Sequence, residues 1–504
     1  MTEEAQPQTA APRPLGSRLF ELSRHTAIYG IGGLTSRFLA VLMLPLYTSY
    51  VSVGDYGRIE LLMSVMAVAV VVIRGGANFG FIRFYFVDKA SEYRRRLIRT
   101  VFWAQMGYST LALALCVIFA SEIARVLNVN WRPGANLQGS GASLVVATAV
   151  LLWVNVNYAQ MTNLFRAEQR SVAFSIATLL NIGITVPLTV ILVVVYKEGP
   201  LGIIVGNLSG TLVVFLALLG YRREQLGLQF DRSLLHRMNR FGIPLMAAAL
   251  ATWVMNFGDR LMLAKLLHGT YALHQLGQYS LAIKISSAMV LLFTAFQVAW
   301  PAFAYSIEDE NEAKGVYSYV LTYLMFIAAW AAVGLSLFAP WIVRLLARQP
   351  GYWPASEAIP ALAFASVFFA GFIVVTIATG RARQTQFNWV ATTAGAALNF
   401  TLNLWLIPAY GMLGAAYATL AGYILIMVLR TWNAQQVYPV QYQWRRVAVL
   451  VLAAGALTAL GKTMPQSLLL ACVLTVAYPL LLAALGFYLP AERKRLRRLL
   501  PAHN

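Results

Sequence analysis

The chain has 504 residues, 59% hydrophobic and 12% charged, with a mean hydropathy of +0.65. A soluble domain carries about 25% charged residues, so half that density along the whole length excludes a soluble globular protein and indicates a polytopic membrane protein. The formal net charge of +20 would suggest nucleic acid in a soluble chain, but here the cations cluster between apolar runs, where membrane topology accounts for them.

A bilayer core is crossed by about 20 apolar residues in a helix. On that criterion about fourteen spans are expected, near 27–50, 59–80, 98–120, 142–162, 171–196, 201–221, 241–267, 279–302, 316–339, 358–379, 388–407, 412–432, 447–460 and 467–489, with the thirteenth short. Residues 1–26 form a polar tail without a signal-peptide pattern. An inside N-terminus places Arg94-Arg95-Arg96, Arg166 with Arg170, the stretch 222–240, Arg381 with Arg383, Arg445-Arg446 and the basic tail 490–504 in the cytoplasm. About 27 loop cations then fall inside and about 8 outside, and an even number of spans leaves both termini cytoplasmic. The longest outer loop, 121–141, is too small for a folded domain.

The chain begins again near Arg240. RFGIPLMAAALATWVMNFGDRLML follows the pattern of RHTAIYGIGGLTSRFLAVLML, which opens at Arg24. Leu201-Gly202 precedes Leu208-Ser209-Gly210, and Leu413-Gly414 precedes Leu420-Ala421-Gly422, each set opening the sixth span of its half. The spans before them carry Asn181 in one half and Asn399 with Asn403 in the other. Six spans per half is an even number, so the halves form a parallel repeat about an axis along the membrane normal. The expected fold is an all-α integral membrane protein of two six-helix bundles, 27–221 and 241–432, plus two C-terminal helices within 447–489. The bundles are joined by a basic loop at 222–240, and a linker at 433–446 leads to the last pair.

Little in the sequence supports catalysis. The stretch GALTALGKT at 455–463 is one residue too long for a phosphate loop and ends an apolar span rather than following a strand. The five histidines show no metal-ligand spacing, and Cys116 and Cys472 lie inside apolar runs, which argues against a disulfide framework. No metal site or cofactor is expected, and the chain does not read as an enzyme.

What remains is charge at bilayer depth, which is costly and marks a pathway or cavity by default. Arg37, Arg74, Arg260 and Lys284 come from the first two spans of each half; cations facing a shared cavity would attract an anion, and a phosphate matches the arginine fork. Asp259 reads as the only carboxylate well inside a span and is the candidate for coupling to a cation, H+ or Na+. It points about 100° away from Arg260 on a helix. Amides and indoles within spans, Asn155, Asn181, Asn256, Gln297, Asn399, Trp253 and Trp300, offer hydrogen bonds and flat faces to a glycan, although interhelical bonding and interface anchoring account for many such residues.

Three blocks carry a family resemblance: LPLYTSYVSVGDYGRIELL at 44–62, RFGIPLMAAALATWVMNFGDRLMLAKLL at 240–267, and LGQYSLAIKISSAMVLLFTAFQVAWPAFAYS at 276–306. They resemble the polysaccharide transporter family, the Wzx-type O-antigen and exopolysaccharide flippases of the multidrug/oligosaccharidyl-lipid/polysaccharide superfamily. The resemblance implies two six-helix bundles in a V, alternating access, and transfer of undecaprenyl-diphosphate-linked glycan from the inner to the outer leaflet of the bacterial cytoplasmic membrane. It also implies membrane lipids, and polymerase or chain-length proteins of the same pathway, as partners. The final pair of spans resembles the lipid II flippase branch, where two extra helices form a groove for the lipid tail. The alternatives are a cation-coupled multidrug exporter of the same superfamily, whose cavity would be acidic or apolar, and a membrane glycan polymerase or ligase, which would need a large outer loop.

Overall fold

A computed structural model describes residues 39, 41–88, 90–129, 141–490 and 492, and among these every regular element is helical. The helices are α1 (Leu44–Tyr50), α2 (Val53–Tyr85), α3 (Ser91–Ile118), α4 (Ala120–Val126), α5 (Gly141–Ala167), α6 (Ser171–Val190) and α7 (Gly199–Arg222) in the first half. The second half has α8 (Arg232–Trp253), α9 (Asp259–Leu266), α10 (Gly269–Ser286), α11 (Ala288–Ser306), α12 (Glu310–Leu346), α13 (Ala355–Arg381), α14 (Phe387–Tyr410) and α15 (Met412–Val437). Helices α16 (Trp444–Thr463) and α17 (Leu468–Ala484) follow. Inside a bilayer only helices and closed barrels satisfy every backbone group, so apolar runs of this length resolve as helices. Four of the starts are fixed by polar side chains: Ser52, Asp231, Asp309 and Ser467 each accept the backbone N–H three residues on.

Twelve of these helical stretches are long and apolar enough to cross a membrane, the runs Arg232–Leu266 and Gly269–Ser306 each counting once. The chain is a multi-pass membrane protein. The first expected span lies largely outside the described residues, and its end is α1. The expectation for the last pair is corrected in detail: the thirteenth span is the 20-residue Trp444–Thr463, and the short one is the 17-residue Leu468–Ala484.

The glycines of the repeat have a structural use. A Cβ at Gly210 would lie 2.2 Å from Thr185 Oγ1, and one at Gly414 would lie 2.1 Å from the Leu406 carbonyl; Gly202 and Gly422 likewise face the preceding helix. In each half, therefore, small residues let the sixth span pack against the fifth at backbone distance. An asparagine of the fifth also bonds a threonine of the sixth, Asn181 to Thr211 at 3.1 Å and Asn399 to Thr419 at 3.4 Å.

One helix of the first half does most of the joining to the second. Helix α2 packs against α8, α9 and α10 while also contacting α3 and α5 of its own lobe. Helices α16 and α17 pack on the flank of α12, away from this boundary.

Candidate functional site

Helix α2 is bent at Gly75, whose φ of 56° falls in the left-handed region open to glycine. In a straight helix the Ala77 N–H would bond the Ile73 carbonyl. At the bend that rung is broken, and each half finds another partner. Ala77 N–H donates to Asn239 Oδ1 of α8 at 2.8 Å, while the Ile73 carbonyl accepts from Gln105 Nε2 of α3 at 3.3 Å. Gln105 Oε1 and Gln160 Oε1 both accept from Asn78, so a buried amide network holds the bend to its own lobe. Beside it, Gly76 and Gly242 cross so closely that a Cβ on Gly242 would sit 1.8 Å from the Gly76 carbonyl.

The other end of α2 has a second crossing. A Cβ on Gly277 of α10 would lie 2.2 Å from the Val53 carbonyl, and one on Gly57 would lie 2.2 Å from the Leu273 carbonyl. This end is further sealed by Thr48 donating to the Leu346 carbonyl at 2.7 Å and Tyr352 donating to the Val51 carbonyl at 3.0 Å. A single apolar core including Leu44, Tyr56, Leu276 and Ile359 runs through both halves here. The lobes are in contact at both ends of α2.

Just inside the Gly57 crossing, charges from both lobes meet. Glu60 of α2 accepts from Lys284 Nζ of α10 at 2.5 Å, and its second oxygen lies 3.6 Å from Arg260 Nε of α9. Glu60 and Arg260 are buried, and Lys284 is 30% exposed, its ammonium 4.8 Å from the Tyr56 ring centre. Arg260 also donates to the Asn256 carbonyl at 2.7 Å and covers the Phe257 ring. Glu60 corrects the reading that Asp259 is the only carboxylate well inside a span: α2 starts at Val53, so Glu60 lies two turns inside it and faces the opposite lobe. A cavity of about 310 Å³ opens beside the pair, bounded by Glu60, Lys284, Tyr47, Asn181, Thr185 and Asn207.

Asp259 follows a π-turn, Val254–Gly258, of the kind often found at functional positions. It turns away from Arg260 into the second lobe, where Tyr279 and Thr419 donate to one carboxylate oxygen and Asn403 to the other, all at 2.6 Å. No cation pairs with it among the described residues, and Asn403 Oδ1 beside it is buried without a hydrogen-bond partner. The carboxylate is thus held by neutral donors alone, two hydroxyls and an amide N–H, and its charge is left for a proton or a small cation to balance. A pocket of about 210 Å³ reaches this carboxylate past Phe369 and Tyr423.

The remaining expected residues are spread out. Arg37 lies outside the described residues. Arg74 is half-buried at the bend, its Nε without a hydrogen-bond partner, about 20 Å along α2 from Glu60. Asn181 borders the cavity beside Lys284, and Asn256 borders the pocket at Asp259. Asn399 belongs to the Asp259 network through Thr419 and Asn403. Trp253 crosses the lobe boundary to donate to the Ser64 carbonyl at 3.0 Å. Asn155 bonds its own helix, Gln297 is half-buried on α11, and Trp300 is packed in the second lobe's core against Phe296 and Tyr317.

Arg430 escaped the sequence reading because it stands near a span end. It donates to Thr376 at 2.8 Å and Thr392 at 2.9 Å, with no carboxylate against it among the described residues. Against α16 lies an apolar groove of about 610 Å³, bounded by Met325, Phe368, Met427, Trp432, Trp444 and Leu452.

A family described as polysaccharide biosynthesis proteins matches residues 50–349, a stretch holding Glu60, Asp259, Arg260 and Lys284. The chain belongs to that family. A curated relative, an uncharacterized membrane protein of Methanocaldococcus jannaschii, is 25% identical over 231 residues, covering 44% of each chain. The chain thus spans less than half the length of the curated relative it matches. Among solved structures, the lipid II flippase MurJ in an inward closed conformation superposes with a TM-score of 0.70 at 14% identity, over 91% of this chain and 99% of that one. An inward-facing multidrug resistance transporter of the MATE family and MOP superfamily superposes at 0.64 with 13% identity, over 82% and 95%. At these identities the likeness establishes that the family member has the two-lobed transporter fold.

Proposed function

We propose that this protein is a flippase that carries a polyprenyl-diphosphate-linked oligosaccharide, undecaprenyl in the bacterial membrane, from the inner to the outer leaflet. The observation that carries the reading is the pairing of two unlike surfaces in one molecule. A cavity at the lobe boundary holds Lys284 with Arg260 behind it, and an apolar groove lies outside the lobes against α16. A lipid-linked diphosphate has that division: a doubly charged head for guanidinium and ammonium donors, and a long tail that belongs in hydrocarbon. The amides of Asn181 and Asn207 on the cavity wall suit a sugar. With the N-terminus in the cytoplasm, the Gly57 end of α2 faces outward and the Gly76 end inward.

Asp259 is the coupling group in this reading. Its carboxylate, with Thr419, Asn399 and Asn403, binds Na+ or H+, and Asp259→Asn removes the dependence of transport on an imposed cation gradient. The same acid pocket with Phe369 and Tyr423 favours the second reading, a cation-coupled exporter of amphiphilic drugs. Lipid extraction from cells lacking the protein separates the two. Accumulation of carrier-linked glycan in the inner leaflet is expected; normal delivery of glycan to the outer leaflet together with drug sensitivity would overturn the flippase reading.

A further inference from the structure

Two cations share one carboxylate at the lobe boundary, and the geometry leaves one of them short. Lys284 holds a full hydrogen bond to Glu60, whereas Arg260 Nε, 3.6 Å from the second oxygen, is buried without a hydrogen-bond partner. Asp259 cannot complete the balance, because its oxygens are turned to Tyr279, Thr419 and Asn403. The cluster therefore carries two positive charges against one negative, with an unspent guanidinium N–H.

We propose that Glu60 is an internal competitor for the substrate's phosphate. It occupies Lys284 and Arg260 while the cavity is free of anion, and an incoming diphosphate takes both cations from it and so unlatches α2 from α9 and α10. The proposal rests on the diphosphate reading above. Lys284 borders the cavity and would exchange first; a phosphate oxygen reaching past it would give Arg260 the short bond Glu60 does not. A diphosphate also brings more negative charge than one carboxylate. Once displaced, Glu60 is an unpaired buried anion facing another anion, an arrangement that drives the two helices apart. Position ties this exchange to movement. Glu60 stands one turn beyond Gly57, and Lys284 two turns beyond Gly277, so the ion pairs lie directly under the tight crossing that closes this end. Glu60 is thus a positioning residue that makes opening at the Gly57 end conditional on an anion of sufficient charge.

The test uses the full chain in nanodiscs of zwitterionic lipid, with Cys116 and Cys472 replaced by serine. Gly54→Cys and His274→Cys report on the Gly57 end, since a Cβ on Gly54 would lie 3.7 Å from the His274 ring. Inorganic pyrophosphate and farnesyl diphosphate are the probes, with sulfate as control. Both diphosphates are expected to lower cross-linking of the wild-type pair. In Glu60→Gln, cross-linking falls before any probe is added and the half-saturating diphosphate concentration drops at least tenfold; Glu60→Asp lies between. A response to farnesyl diphosphate alone, still tighter in Glu60→Gln, supports the exchange and names a lipid-linked source. A second cysteine pair, Gly80→Cys with Phe241→Cys at the Gly76 end, verifies that each variant is folded. Diphosphate binding that is equal within twofold in wild type and Glu60→Gln overturns the competition and leaves the diphosphate reading standing. Binding of neither probe by either protein overturns both.

Discussion

The two ends of α2 are closed by the same device and secured by different ones. At each end a pair of glycines lets helix backbones touch: Gly57 with Gly277, and Gly76 with Gly242. Around the first pair lie a core shared by both halves, several interlobe hydrogen bonds and the Glu60 ion pairs. Around the second are the bend at Gly75 and the neutral bond from Ala77 to Asn239. Glycine crossings bring no charge and no specificity, so what distinguishes one end from the other is what stands beside them. The Gly57 end can respond to an anion. The Gly76 end responds to whatever separates α2 from α8.

The sharpest way to break the comparison is Gly242→Leu. Its Cβ would stand 1.8 Å from a carbonyl oxygen, and backbone cannot yield as a flexible side chain can. We expect cross-linking of Gly80→Cys with Phe241→Cys to fall at least tenfold and transport to be lost, while Gly54→Cys with His274→Cys still cross-links. The partner change, Gly277→Ala, should act in the opposite sense with smaller amplitude, because the large shared core restrains that end; a stability loss of about 1–3 kcal/mol is expected for the overpacking. Wild-type cross-linking in both variants would show that the glycine crossings do not set closure.

A finer cut removes only the neutral tie. Asn239→Ala leaves the Ala77 N–H without its acceptor, a loss of about 1–3 kcal/mol for a buried donor. Amide hydrogen exchange at Ala77 should quicken about tenfold or more, with exchange near Glu60 unchanged. The smallest effect concerns the anchor of α8. The backbone N–H of Leu234, and then the Ser233 hydroxyl, hold the Asp231 carboxyl below the usual aspartate range. A lowered value means the charged form is favoured in the fold. Its contribution is therefore complete above the unfolded aspartate pKa of about 3.9 and is lost as pH falls through the lower folded value. Asp231→Ala should cost about 0.5–2 kcal/mol at neutral pH and less once pH falls below the folded carboxyl's lowered pKa, whereas Asp231→Asn keeps most of the cap. Exchange rates at Arg232–Leu235, followed across pH, check both.

Much of this arrangement can be read in the sequence. Apolar length gives the spans, and the cost of charge at bilayer depth leads to Asp259, Arg260 and Lys284. Partnership is not legible there. Glu60 reads as the second residue of the span expected at 59–80, beside a loop with Asp55 and Arg58, because hydropathy places the span start several residues late. Arg430 stands two residues from the end of the expected span 412–432, where a cation reads as an interface residue, while α15 runs on to Val437. The glycines of the repeat stand out because their spacing recurs, but nothing around Gly57, Gly76, Gly242 and Gly277 says that a second helix crosses there, and they look like the ordinary small residues of membrane helices. Trp300 shows the converse: an indole in a span looks available to a sugar, and three-dimensional packing assigns it to the core.

The bend in α2 has one more consequence. The Ala77 N–H has two acceptors it can serve, Asn239 across the boundary and Ile73 one turn back in its own helix. At the bend it serves Asn239, so this rung of the helix is completed by the opposite lobe. Parting of the lobes at this end would take Asn239 from the amide and open it to exchange; the Ile73 carbonyl, with two lone pairs, could take it up without releasing Gln105. The bent form of α2 is thus complete only while the opposite lobe is in place, so the helix carries in its own backbone a record of whether that end is shut.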